Sequence, residues 1–404
     1  MQPGTEVMSA ATLLSAVKEL LREGKSAVVE RERSTFDNLA GPGDKPLVLF
    51  GAGNLGRKTL AGLRKMGIQP VAFTDSNPRL WNTKVEGLVV LPPEKAASVY
   101  GAAAVFVITI WTGEGYDRMG QREAKLRNLG CKHVSAFLPL FWKYPDTFLP
   151  HYAADLPHKV YEQADQVLSA CSLWSDGASR LEYLAQLRWR LFADFDNLPN
   201  PVSHATYFPP DLFQLAPNEQ FIDCGAYDGD TIKVFLQQPG ASSAQIYAFE
   251  ADPENFVKLK RTVSTYPQAD SIKITNAAVG AFNGSVSFCS SGNESSFVSQ
   301  HGVGIQVDSV TLDDALGTLN PTYIKMDIEG AELDALTGAK RLIQRSSPVL
   351  SVCSYHQQDH VWRVPLLIHS INPHYRFFLR PHLLEVWDLV CYAIPEGRPG
   401  HKLQ

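Results

Sequence analysis

Twice in this chain an apolar run breaks into a glycine-containing loop and then into a helix-forming stretch, and no other feature restricts the fold as much. The first is Leu47-Val48-Leu49-Phe50, followed by Gly51-Ala52-Gly53-Asn54-Leu55-Gly56. The second is Phe221-Ile222-Asp223-Cys224, followed by Gly225-Ala226-Tyr227-Asp228-Gly229-Asp230-Thr231. Apolar runs without alternation suit strands buried on both faces, which a parallel sheet between two helical layers provides. Strand candidates follow each loop: Val71–Thr74, Leu88–Leu91, Val105–Ile110 and His133–Phe137 after the first, and Gln245–Glu250, Ile272–Asn276, Tyr323–Ile328 and Pro348–Ser354 after the second. Late antiparallel candidates lie near Tyr375–Leu379 and Val386–Ala393. Helix-period residues such as Leu55, Thr59, Leu63 and Met66, and the stretch Arg122–Leu129, fill the intervals. The expectation is an α/β chain with two mostly parallel sheets.

The remaining segments divide the chain. Leu13, Leu14, Val17, Leu20 and Leu21 recur at helical spacing after a Ser9 cap, and Gly41-Pro42-Gly43-Asp44 breaks the chain before the first strand. Between Pro139 and Pro210 prolines, aromatics and the series Leu181, Leu184, Leu187, Leu191 and Phe195 read as a helical connector. The division is a helical segment over 1–45, a first α/β unit over 46–138, a connector over 139–206 and a second α/β unit over 207–404. At roughly 100–200 residues per domain, 404 residues accommodate this.

Composition excludes several classes. With 37 Lys+Arg against 42 Asp+Glu, the net charge of −5 removes the broad basic surface of a nucleic-acid binder. The 6 cysteines, at 131, 171, 224, 289, 353 and 391, show no C-x-x-C pair and read as reduced thiols. Met1-Gln-Pro-Gly-Thr-Glu-Val has neither the basic stretch nor the apolar core of a signal peptide, and no apolar run reaches the roughly 18 residues of a membrane span. The expected compartment is the cytoplasm.

The first loop has the G-x-G-x-x-G spacing of Rossmann-like nucleotide sites, and Asp75 ends the next strand where an acidic residue would meet a ribose hydroxyl. Gly51, Gly53, Gly56 and Asp75 are therefore candidate nucleotide contacts. The same glycines also serve strand–helix packing, so an empty structural or interaction role stays open. A dehydrogenase would need a catalytic domain after this unit, and a helical connector follows instead.

In the second loop Gly225 and Gly229 let the backbone pass close beneath a flat ligand, and Asp223 at the strand end can orient the loop or accept from an ammonium group. Glu250 closes the next strand, where a carboxylate can accept both ribose hydroxyls. No phosphate-gripping lysine lies in the loop, which favours an adenosine over a free phosphate.

From Tyr207 to Pro395 the chain resembles the FkbM-type S-adenosylmethionine-dependent methyltransferases. The resemblance rests on linked segments: Tyr207–Phe213, Phe221–Thr231, Tyr247–Phe256, Asn276–Gly280, Tyr323–Glu332 and Ser354–His356. It implies a Rossmann-like methyltransferase domain, mostly parallel with a late antiparallel strand, beside the N-terminal Rossmann-like unit. It also implies S-adenosylmethionine across the carboxyl edge of the sheet. Asp223, Gly225 and Gly229 would then face the methionine part and Glu250 the ribose. Asn276 and Ala277 would meet the adenine, and Asp327 would stand beside the reacting centre. Tyr227, Asp228, Thr231 and Ala251 complete the implied donor contacts. Tyr227 stands where many such enzymes have glycine and Ala251 where a proline is common, and neither change removes a charged contact.

Transfer from a sulfonium needs an aligned acceptor and, for a hydroxyl, a base. His356 after the fifth strand is the candidate base, with Asp327 helping to hold the acceptor; a hydrogen-bonded histidine shaping the sheet edge is the plainer alternative. His356 and His360 stand four apart beside Asp359, but the run starts at a strand end without H-E-x-x-H, so no metal is expected. Tyr355, Trp362 and Trp387 are sugar-stacking candidates or core aromatics. The expected reaction is O-methylation of a sugar or glycoconjugate hydroxyl. N-methylation of a small molecule or peptide, and a non-catalytic nucleotide-sensing or scaffolding role, are the alternatives. The expected partners are a small-molecule or sugar-containing acceptor and a second copy of the chain, without nucleic acid or membrane.

Overall fold

Leu47–Phe50 is buried at all four positions because it forms the middle of a six-stranded sheet, in the order Lys84–Val85, Leu88–Leu91, Ala72–Thr74, Leu47–Phe50, Val105–Ile108, His133–Ala136. Every pairing is parallel except that of Lys84–Val85. The strand order reverses at Leu47–Phe50, so the chain leaving Phe50 and the chain leaving Ile108 diverge and open a crevice at their carboxyl ends. The computed structural model describes residues 8–41, 43–112, 115, 117–289, 297–298 and 304–398. Met1–Val7, read above for a signal peptide, and Pro42 of the first break lie outside the described residues.

The second sheet has seven strands in the order Tyr375–Pro381, Leu389–Pro395, Val349–Cys353, Tyr323–Met326, Gln220–Cys224, Gln245–Phe249, Ile272–Thr275. Its reversal falls between Gln220–Cys224 and Tyr323–Met326, which pair in parallel. Only Leu389–Pro395 opposes the common direction. Tyr375–Pro381 pairs antiparallel with that strand alone and therefore runs with the others, a correction to the two antiparallel candidates.

A small sheet of Ala278–Val279, Ile305–Val310, Gly284–Cys289 and Phe297–Val298 was not expected. The helical segment over 1–45 holds a second helix, Lys25–Ala40, which has no marked apolar period because it buries only Val28, Glu32, Phe36 and Ala40. The first helix is as read: Ala10–Leu20, with Ser9 Oγ accepting from Thr12 N at 3.1 Å.

The connector is part of the second sheet's support. Its helix Gly177–Phe192 buries Tyr183, Leu187, Trp189 and Leu191, while Leu181 stays exposed. Asp176 caps it and pairs with Arg380, and Ser179 Oγ accepts from Leu379 N at 2.9 Å, so this helix covers the edge strand Tyr375–Pro381. One apolar core runs through both sheets and the connector. All six cysteines are free. No helix among the described residues is long and apolar enough to cross a membrane.

Candidate active site

The two crevices open onto one cavity of about 970 Å³. Gly51, Gly53, Asn54, Asp75 and Thr109 line it from the first sheet. Gly225, Tyr227, Glu250, Ala277 and Asp327 line it from the second. Ligand pockets are about 300–1,000 Å³, so this one has room for a donor and an acceptor together.

On the second sheet's side the loop is built by backbone approach. Gly225 has φ +80°, and a Cβ there would stand 1.8 Å from the Asp327 carbonyl oxygen. Only glycine satisfies both constraints. Phe249 O accepts from the amides of Gly225 and Ala226, each at 3.0 Å, tying the loop to the next strand. Gly229, φ +93°, opens the helix Asp230–Leu236, whose Thr231 reaches the cavity. Glu250 Oε2 accepts from Tyr227 N and Oε1 from Asp252 N, both at 2.8 Å. Burial pushes this carboxyl up to about 7, against the pull of the two amides. Ala251 and Ala277 extend the wall, and Ala278, Val279 and Phe288 of the unexpected small sheet continue it. Asn276 is exposed and lies behind the wall, its side-chain amide donating to Glu250 O at 2.8 Å. Asp228 also lies off the lining.

Asp223 does not reach the cavity, contrary to the expectation that it faces the ligand. It is fully buried beside Lys325 Nζ at 3.0 Å, and neither of its oxygens accepts a hydrogen bond. Lys325 Nζ donates instead to Gly225 O at 2.7 Å. Burial pushes Asp223 up to about 6 despite the ammonium. Burial also draws Lys325 down, but the carboxylates of Asp223, Asp327 and Asp230 outweigh it and hold the ammonium above the lysine range. The strand-end acid thus fixes the loop through its neighbour.

Just past the strand Tyr323–Met326, Asp327 lines the cavity, and Tyr207 donates to its Oδ2 at 2.8 Å. His356 stands behind it, off the lining and 3% exposed. Its Nδ1 is 2.8 Å from Glu332 Oε1, and its Nε2 is 3.4 Å from Asp327 Oδ1 and 3.8 Å from Glu329 Oε1. Burial alone would lower this imidazole, yet Glu332, Glu329 and Asp327 raise it to about 10. His356 is therefore misplaced for the base role expected of it: Asp327 stands between the ring and the cavity. Trp362 is a core residue, its indole donating to Gln163 Oε1 at 2.9 Å. Tyr355 and Trp387 do line the cavity.

The first sheet's glycines separate by role. A Cβ on Gly51 would meet Ile110 Cγ1 at 2.5 Å, and one on Gly56 would meet Gly51 O at 1.9 Å, so both serve packing. Gly53 has nothing within 4 Å and faces the cavity. Asp75 accepts from Ala52 N and Asn77 N, each at 2.8 Å, and also lines the space.

Sequence reasoning named Tyr355 and Trp387 but missed Trp111 and Tyr152, which complete an aromatic wall between the loops. Trp111, on the segment after Val105–Ile108, has its ring 4.9 Å from that of Trp387, and Tyr152 of the connector lies equally close to Trp387. Trp387 sits on a strained turn: Glu385, Val386 and Asp388 have φ of +55°, +84° and +48°. The buried pair Arg122–Glu385 at 3.1 Å and the Trp111 indole, donating to Glu385 O at 2.8 Å, hold that turn against the first unit. The signal was present in the residue types, but these side chains converge from segments far apart in the chain.

Residues 223–385 match the family model described as Methyltransferase FkbM domain. No curated protein is significantly similar to the chain. Among solved structures, a methyltransferase FkbM from Methylobacillus flagellatus KT has a TM-score of 0.76 at 19% identity, covering 95% of this chain and 100% of its own. The precorrin-6y C5,15-methyltransferase of Geobacter metallireducens GS-15 has a TM-score of 0.30 at 12% identity, over 46% of this chain and 84% of its own. The fibrillarin of Aeropyrum pernix, solved with natively bound S-adenosyl-L-methionine, has a TM-score of 0.29 at 9% identity, over 44% of this chain and 67% of its own.

Proposed function

We propose, from the match of residues 223–385 to the methyltransferase FkbM model, an S-adenosylmethionine-dependent O-methyltransferase acting on a sugar or glycoconjugate hydroxyl. The observation that carries this reading is the single cavity bordered by both glycine loops, by Asp327 and by an aromatic wall. The Gly225 backbone lies so close to Asp327 that a Cβ would stand 1.8 Å from its carbonyl oxygen, which keeps the donor loop and the Asp327 turn together at the cavity edge. A carboxylate offers about four acceptor sites. Two backbone amides occupy two on Glu250, and the remainder suit paired ribose hydroxyls.

S-adenosylmethionine supplies a methyl group already activated on a sulfonium. What the chain adds is alignment, exclusion of water and removal of a proton. Asp327, steadied by Tyr207, is the carboxylate that meets the acceptor hydroxyl, and His356 positions Asp327 from behind. Trp111, Trp387 and Tyr152 give the cavity an aromatic wall suited to a sugar, and the Gly53 and Asp75 edge leaves space for a nucleotide or further groups attached to it.

Calorimetry of the full chain should give one-site binding of S-adenosylmethionine and of its demethylated product; absence of both overturns the reading. Asp327→Asn should lower methyl transfer by roughly 10²–10⁴ while donor affinity holds. Methyl label recovered on nitrogen rather than oxygen across an acceptor panel would overturn the hydroxyl assignment.

A further inference from the structure

Three carboxylates, of Asp327, Glu329 and Glu332, converge on one buried imidazole behind the reacting end. Asp327, Glu332 and His356 bring one ligand-type atom each within 4.8 Å of one another. Glu329 approaches the same ring nitrogen. His356 is 3% exposed, and its Nε2 makes no hydrogen bond although it points at two carboxylates. Glu332 Oε2 faces His360 Nδ1 at 3.3 Å, so that pair answers itself and the His356 Nε2 is the atom left over. A buried ring nitrogen without a hydrogen bond, aimed at two carboxylates, is where an ion or water belongs.

Glu332 is not the inner ligand. Its Oε1 already accepts from Ile328 N at 3.0 Å and faces His356 Nδ1 at 2.8 Å. That is the arrangement of a metal-ligating histidine, whose far nitrogen is held by a carboxylate that sets the tautomer and aims the other nitrogen. The near nitrogen, Nε2, then faces Asp327 Oδ1 and Glu329 Oε1, two oxygens on a left-handed turn, Glu329 having φ +52°. Asp327 and Glu329 both border the cavity, so the open side of this set is the side the acceptor enters.

The geometry points to a divalent first-row cation held by His356 Nε2, Asp327 and Glu329, with Glu332 behind the ring. One imidazole and two carboxylates suit Mn²⁺ or Zn²⁺ better than Ca²⁺. The inference rests on the methyltransferase reading and deepens it. The acceptor oxygen would bind the cation beside Asp327, which still takes the hydroxyl proton as the methyl group arrives.

The test is titration of Mn²⁺ alone into the chelator-treated full chain, with free Mn²⁺ followed by its paramagnetic resonance signal. One Mn²⁺ should bind per chain. Asp327→Asn and His356→Ala should each weaken uptake at least tenfold, and Glu332→Gln by about 10–100-fold through loss of the outer carboxylate. Glu329→Gln, at the cavity edge, covers the event that a core variant does not fold. Donor binding to the metal-free chain is measured alongside. No Mn²⁺ uptake with intact donor binding overturns the cation and leaves the methyltransferase reading standing, with His356 as the counter-charge. Uptake unchanged in Asp327→Asn and in Glu329→Gln also overturns the site.

Discussion

Glu250 combines two properties in one side chain: it is 7% exposed, and its two carboxyl oxygens accept from two backbone amides. Burial raises its carboxyl to about 7, so near neutrality the free protein holds a mixture of the acid and the carboxylate. Ribose hydroxyls donate to the carboxylate and favour the ionised form. Donor affinity should therefore be full above pH 7 and fall as the pH drops through the free-state value. At pH 6 about one site in eleven is ionised, which is close to a tenfold weakening, and calorimetry at pH 6 and pH 8 reads it directly. Glu250→Gln should remove the pH dependence and cost about 1.5–3 kcal/mol of donor binding at pH 8. A flat affinity between those pH values in the native chain would end the ribose assignment.

At the scale of elements, two neighbouring strands share one buried ion pair. Asp223 on Gln220–Cys224 and Lys325 on Tyr323–Met326 lie side by side in register, and the ammonium reaches across to the Gly225 carbonyl. Lys325→Met leaves Asp223 buried and unpaired, which costs about 3–5 kcal/mol, whereas Asp223→Asn with Lys325→Met should recover much of that loss. Urea unfolding of both single variants and the double gives the coupling, and additive costs would show that the pair does not act as a unit. The loop glycines and the strands were legible because positive φ and continuous burial leave direct marks on a sequence. Asp223 carried the same mark as a ligand contact, and only the register with Lys325 shows where its charge goes. The small sheet around Ala278–Val310 left no such mark: two of its strands have two residues each, too short for any period. His356 was found by position after its strand, but Glu332, which holds its Nδ1 and so sets where the ring points, lies on another element.

At the scale of the molecule, the two glycine loops face one another across a shared space, which no local pattern could reveal. This arrangement separates an acceptor-side role for the first unit from a purely structural one. Gly53 begins the helix Asn54–Lys65 with φ −77°, an ordinary value for any residue, and a Cβ there meets nothing within 4 Å. Gly53→Trp should therefore fold with unchanged thermal stability while placing an indole into the cavity opposite Glu250. Gly56→Ala is the contrasting change, since its Cβ would collide with Gly51 O at 1.9 Å and should destabilise the first sheet whatever the cavity holds. If the first unit helps to seat the acceptor, Gly53→Trp lowers kcat/KM for acceptor at least about tenfold, equivalent to about 1.4 kcal/mol, and leaves the dissociation constant for S-adenosylmethionine as it was. Loss of donor binding instead would mean that the donor extends across to the Gly53 edge. Unchanged kinetics in both substrates would leave Gly51 and Gly56 as packing glycines in a unit that supports the turn carrying Trp387 and takes no part in binding.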